Sequence, residues 1–129
     1  EPELISGKDV LVVGGGDSAV EAAMSLTGQN KVVLSYRGEA FQRIKPKNSE
    51  RIVKAMNNGE LEVHFKSQVK EIREQDAIIV MADGETKTIP NDLVYIFAGG
   101  ELPTEFLKKA GVEITTRFGH ALLKHDKKR

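Results

Sequence analysis

The string Gly14-Gly15-Gly16-Asp17-Ser18-Ala19 constrains this chain more than any other, because of what stands on each side of it. Before it comes Val10-Leu11-Val12-Val13, a short continuous apolar run that fits a strand buried on both faces of a parallel sheet. After it, Ser18 to Leu26 is rich in Ala, Met, Leu and Glu, all good helix formers. The apolar surface of that helix is wide (Ala19, Val20, Ala22, Ala23, Met24, Leu26), which suits clamping against a sheet. Thr27-Gly28-Gln29-Asn30 offers a stop, and Lys31-Val32-Val33-Leu34-Ser35 reads as a second strand. Residues 8–35 therefore read as strand, glycine turn, helix, strand. Such a βαβ unit has a right-handed crossover and parallel strands.

Each position of the turn has a physical task. The string matches G-x-G-x-x-A. Gly14 lets the strand turn sharply into the helix, and Gly16, without a side chain, lets a pyrophosphate approach the backbone. Ala19 is small enough for the helix to pack tightly on the sheet. N–H groups of the first helical turn then meet the phosphates with the helix dipole behind them. Ser18 can add a hydroxyl hydrogen bond, and Gly15 completes the loop. Asp17 and Glu21 fit N-capping and dipole complementarity. A glycine motif alone is weak evidence. Its placement between strand and helix makes it specific.

Beyond the second strand, residues 36–47 form a basic connection. Asn48 or Ser49 is placed to cap a second helix of about ten residues ending near Asn57-Asn58-Gly59, with Ile52, Val53 and Met56 on its core side. Leu61 to Phe65 reads as a third strand. Gln68–Glu74, Ala77–Met81 and Glu85–Ile89, with Asp83-Gly84 as a hairpin signal, read as a small antiparallel meander beside the parallel sheet. Asp92 to Phe97 is a last buried strand running into Ala98-Gly99-Gly100. Pro103 suits the start of a short helix over Thr104–Ala110, after which Val112-Glu113-Ile114 returns and the chain trails off. The expected fold class is α/β: one Rossmann-like domain over residues 1–129, a parallel sheet flanked by helices with a small antiparallel meander.

Rossmann sites that take NAD usually carry an acid at the end of the second strand, where it accepts from the ribose 2′-OH. Here that place holds Ser35, Tyr36 and Arg37. Arg37 suits a 2′-phosphate, with two parallel hydrogen bonds and stacking on adenine. Arg43, Lys45 and Lys47 follow in the same connection. The pattern favours NADPH over NADH, with Glu39 as the residue that a rearranged loop presents to the ribose instead. The expected cofactor contacts are Gly14, Gly15, Gly16, Asp17, Ser18, Ala19, Ser35, Tyr36, Arg37, Arg43, Lys45, Ala98, Gly99 and Gly100.

The remaining composition narrows the field. Nineteen basic and 19 acidic residues cancel, which argues against a nucleic-acid or membrane-surface binder. Lys124, Lys127, Lys128 and Arg129 crowd one end and read as a solvated tail. The sequence has no Cys, hence no disulfide, thiolate metal site or thiol redox centre. That suits a cytoplasmic protein. His64, His120 and His125 are too scattered for a metal cluster. Ser18 lacks the elbow that surrounds a nucleophilic serine, and no catalytic residue is expected. No apolar stretch approaches the ~20 residues of a membrane span. The start, Glu1-Pro2-Glu3-Leu4, has no Met and no signal-peptide features, and suggests a piece of a longer protein.

Three strings together resemble the pyridine-nucleotide domain of flavin-dependent disulfide oxidoreductases of the thioredoxin reductase type. Val12 through Ala23 is similar to that family's NADPH-site turn. Ser35-Tyr36-Arg37-Gly38-Glu39-Ala40-Phe41 stands where thioredoxin reductases carry a His-Arg-Arg string followed by an acidic residue and Phe. Val94 through Thr104 stands where the family has a strand ending in Gly, then Pro. Only Arg37 matches the paired arginines. Tyr36-Arg37-Gly38 and Ile44-Lys45-Pro46 look more like the bacillithiol-disulfide-reductase-like and other thioredoxin-reductase-like branches. The resemblance implies a module excised from an FAD-dependent parent. Its partner would be the FAD domain of the same chain, to which it delivers hydride from bound NADPH or NADH. A homodimeric parent is compatible with this. Without a Cys-x-x-Cys, electrons would leave the flavin by another route. Two other classes stay open: a non-catalytic nucleotide-sensing regulatory domain, and a Rossmann-like enzyme with another ligand such as S-adenosylmethionine.

Overall fold

Strand β1 (Asp9–Val13) runs through the middle of a six-stranded sheet, and the rest of the fold is arranged around it. The computed structural model describes residues 5–97 in full and the backbone of residues 112–117 and 120–125. After β1 come helix α1 (Asp17–Leu26), strand β2 (Lys31–Ser35), helix α2 (Pro46–Asn57) and strand β3 (Glu62–His64). The meander follows as β4 (Gln68–Ile72), β5 (Asp76–Val80) and β6 (Thr86–Pro90). Then come β7 (Leu93–Ile96), β8 (Val112–Arg117) and β9 (His120–His125). The main sheet has the order β3-β2-β1-β7-β9-β8. Its first four strands are parallel; β9 is antiparallel to β7, and β8 to β9.

Alternation along the strands assigns each side chain to one of two cores. Val10 and Val12 of β1, Val32 and Leu34 of β2, and Leu93 and Tyr95 of β7 pack with Ala19, Val20, Ala23 and Leu26 of α1 and with Ile52 and Ala55 of α2. Leu11, Val33, Val94 and Ile96 point to the other face. There they meet Val69, Ile72, Ala77, Ile79 and Ile89 of the meander. So the two helices cover one face, and a three-stranded sheet of order β4-β5-β6 covers the other. The expected meander is present, but it lies across the parallel sheet rather than beside it.

Three further expectations are corrected. Helix α2 begins at Pro46, with Lys45 as its N-cap, so Asn48 and Ser49 lie inside the first turn rather than capping it. Pro at N1 explains this: it lacks an N–H where none is needed, and its φ is already helical. Val53 is 47% exposed, while Ile52 and Ala55 form the buried face of α2. Finally, the chain does not trail off after Ile114. It continues through β8 to Arg117 and returns as β9, which pairs Leu93↔Lys124 through Ile96↔Ala121. Lys124 therefore belongs to a strand and not to a tail. The helix expected over Thr104–Ala110 lies outside the described residues.

Candidate functional site

The chain leaves β1 and passes through α1 to β2 on one side, while β7 lies on the other side of β1. The direction of winding therefore reverses between β1 and β7. In open α/β sheets the crevice at the carboxyl ends of such a strand pair is the usual ligand position. Gly14-Gly15-Gly16 leaves β1 at that end, and the Phe97 N–H is hydrogen-bonded to the Val13 carbonyl at 2.9 Å, which places the end of β7 alongside. Ala98, Gly99 and Gly100 lie outside the described residues.

Gly14 is buried with φ 138, a conformation that favours glycine, and its N–H bonds the Ser35 carbonyl at 3.0 Å. The strand thus turns sharply while staying fastened to β2. Gly16 is exposed and is the N-cap of α1; a Cβ built there meets nothing within 4 Å. It has no side-chain capping bond, and the first N–H groups of a helix have no partner within it. Open space beside unpartnered helical donors fits a phosphate group. Ser18 is exposed next to it, and Ala19 is fully buried against the sheet.

Tyr36 follows β2 and covers Gly15. Its ring stacks with Phe41 at 6.2 Å between centroids and 6° between planes, and Phe65 meets Phe41 edge-on at 4.9 Å. Backbone bonds hold this corner: Tyr36 N–H to His64 carbonyl (3.0 Å), Ser67 N–H to Tyr36 carbonyl (3.1 Å) and Lys66 N–H to Gly38 carbonyl (2.9 Å). Arg37 and Glu39 stand exposed beyond it. Ser35 is placed differently from the cofactor contact expected of it. Its side chain is 1% exposed, and its Oγ lies 2.7 Å from Ser67 Oγ. It supports the turn from beneath through its carbonyl and hydroxyl.

Asp17 does not cap α1, whose N-cap is Gly16; it is the first helical residue. Its Oδ1 accepts from the Lys45 N–H at 2.9 Å and from Asn48 Nδ2 at 2.8 Å. The Lys45 backbone bond first, and the Asn48 amide second, hold its carboxyl below the usual carboxylate range. Asn48 Nδ2 also donates to Glu21 Oε2 at 2.8 Å. The acids that sequence alone explains by the helix dipole therefore reach across to α2. Their spacing of four, which puts both on one helix face, is the signal that could have shown it. Arg43 and Lys45 are exposed on the connection, and Arg43 has φ 58.

On the outer strand β3, Glu62 accepts from Lys87 Nζ (2.9 Å) and lies 2.7 Å from His64 Nε2. Lys87 first, then His64, lowers its carboxyl. This ties β3 to the meander and accounts for His64 as a structural residue. An open groove of about 480 Å³ lined by Gly7, Lys8, Asn30 and Lys31 lies at the opposite ends of β1 and β2 from the glycine turn. Among the described residues no group of three His, Cys, Asp or Glu is placed to hold a metal. No helix among them is long and apolar enough to cross a membrane.

The fold and this end of the sheet define an α/β domain whose parallel strands wind in both directions from β1. The pattern of the family described as "Pyridine nucleotide-disulphide oxidoreductase" matches residues 1–128, and the chain belongs to that family. It is 34% identical over 114 residues to the bacilliredoxin reductase Bdr of Bacillus subtilis, covering 87% of this chain and 35% of that protein. The bacillithiol disulfide reductase Bdr (YpdA) of Staphylococcus aureus superposes with a TM-score of 0.73 at 30% identity, covering 98% of this chain and 40% of that one. Lactococcus lactis thioredoxin reductase superposes with a TM-score of 0.65 at 25% identity, covering 89% and 41% respectively. The chain thus spans well under half the length of these relatives. The expected resemblance to thioredoxin-reductase-like flavoproteins is borne out.

Proposed function

We propose that this chain binds NADPH, with NADH as the weaker ligand, and presents it for hydride transfer to FAD in a thioredoxin reductase-like oxidoreductase. The observation that carries the reading is the glycine turn at the winding reversal, with exposed Gly16 opening onto the start of α1. The α1 N–H groups and the Ser18 hydroxyl bind the pyrophosphate. Arg37, Arg43 and Lys45 meet the 2′-phosphate, where no acid stands at the end of β2 to claim a ribose hydroxyl. Ala98, Gly99 and Gly100, which follow β7 in sequence, complete the proposed cofactor contacts.

The bound nicotinamide supplies the hydride, and the flavin that receives it belongs to the FAD domain of a longer parent chain. This chain's residues bind and orient; with no cysteine they relay no electrons through a dithiol. The isolated chain has no turnover of its own.

The test is calorimetric titration of the purified chain with NADPH and NADH at one salt concentration. Binding of NADPH tighter by ~1.4 kcal/mol or more, a factor of ten, supports the reading. Equal affinities remove the 2′-phosphate assignment, and binding of neither overturns the nucleotide site. Oxidation of NADPH by a small disulfide with this chain alone overturns the role as a donor module.

A further inference from the structure

The glycine turn and the basic connection are separate in sequence, yet one buried amide joins them. Asn48 is 5% exposed and lies in the first turn of α2. Both of its Nδ2 protons are used, one by Asp17 and one by Glu21. Two carboxylates as neighbours fix which end of the amide faces them, since only the NH₂ end can donate. The Asp17 oxygen that accepts from Asn48 also accepts from the Lys45 N–H. Asp17 immediately follows Gly16, and Lys45 ends the connection that carries Arg43.

The backbone of that connection needs holding. Arg43, two residues before the Lys45 bond, has φ 58, a conformation that L side chains adopt at a cost. It persists only where the surroundings fix it. On the other side of Asp17, a carboxylate so near a phosphate site is unfavourable unless its charge is engaged elsewhere. Here its Oδ1 is bonded to the start of α2.

We infer that Asn48 is a positioning residue for nucleotide selectivity: it sets the distance between the glycine turn and the Arg43–Lys45 connection, and so decides whether one NADP molecule reaches both. This rests on the nucleotide reading above. A ligand without the 2′-phosphate uses only the turn and does not sense the setting. A ligand with it must satisfy both ends at once.

The experiment is titration of the purified chain and its Asn48→Ala variant with NADPH and with NADH. The loss of a hydrogen-bonded position is expected to weaken NADPH by about three- to tenfold, the range of about one net hydrogen bond, while NADH changes by less than about twofold. Glu21→Ala, at an exposed position, is the second variant. It removes one of the two anchors of the amide without opening the core, and lowers the NADPH-to-NADH preference in the same direction by a smaller factor. Equal weakening of both nucleotides makes Asn48 merely structural and overturns the inference, as does an unchanged preference in both variants. If the unsubstituted chain binds neither nucleotide, the nucleotide reading falls first and carries this one with it. If it prefers NADPH and the variants keep that preference, this inference alone fails.

Discussion

The Tyr36 ring lies against Gly15 so closely that a Cβ built on the glycine would sit 2.5 Å from two ring atoms. The variable position of the G-x-G turn is therefore closed to side chains by the protein's own tyrosine. The ring cannot easily yield, since Phe41 stacks on it and Gly38 approaches it just as tightly. Gly15→Ala is expected to cost about 1–3 kcal/mol, the range for overpacking. In a Tyr36→Ala background the same substitution should cost much less. Urea unfolding of the four proteins measures that coupling, and additive costs would refute the contact as the cause.

Acidification should act on the junction of α1 and α2. The Asp17 carboxyl is held below its ordinary range by the Lys45 N–H and the Asn48 amide. A depressed carboxylate contributes stability that is fully present above its unfolded pKa, ~3.9, and lost as the pH falls through the lower folded value. Melting temperatures measured from pH 7 down to pH 2 should therefore fall more for the unsubstituted chain than for Asp17→Asn. Parallel curves would show that Asp17 carries no such linkage.

The two buried hydroxyls beneath the turn are not equivalent. Ser67 Oγ donates to the His64 carbonyl at 2.8 Å, so the bond it shares with Ser35 runs from Ser35 as donor. Ser35→Ala removes that donor and should cost about 1 kcal/mol. Ser67→Ala deprives the 1% exposed Ser35 hydroxyl of its acceptor and leaves the His64 carbonyl short of a bond. Its cost should be larger, about 1–3 kcal/mol. Chemical denaturation of both variants ranks them, and the reverse order would mean the protons are arranged the other way.

Arg37→Ala should separate the two nucleotides. Loss of charge-assisted hydrogen bonds to a 2′-phosphate is expected to weaken NADPH about tenfold or more while NADH holds. Equal effects on both would assign Arg37 to the turn or to the fold instead.

How much of this could be read from sequence depends on whether the signal is local. The strand, turn, helix and strand over residues 8–35 were legible because apolar runs and helix formers alternate around an uninterrupted glycine turn. Gly14, Gly16 and Ala19 stand as their residue types suggest. The start of α2 was misread because Asn48 is a good cap by type, while Pro46 at N1 decides the boundary. Val53 is apolar in a helix but lies off the face that Ile52 and Ala55 define. Ser35 ends a strand whose next residue turns outward, and nothing in its neighbours shows that Ser67 waits 32 positions later. The meander was legible as three strands, but not which face it covers. That depends on Leu11, Val33, Val94 and Ile96 being left bare by the helices. Strand β9 hid behind the charges at the end of the chain.

The pairing of β1 with β7 has a consequence for the order of assembly. Asp9 N–H bonds Asp92 Oδ2 at 2.8 Å, and Asp92 N–H bonds the Asp9 carbonyl at 2.7 Å, across 83 residues. The β1–α1–β2 unit needs only short-range contacts, whereas that ladder must first close a long loop. The crevice between the two strands therefore exists only once that long loop has closed. A nucleotide seated there would bind only the closed ladder and so stabilise the native state by mass action, so that the supply of the ligand would also set what fraction of the domain is assembled.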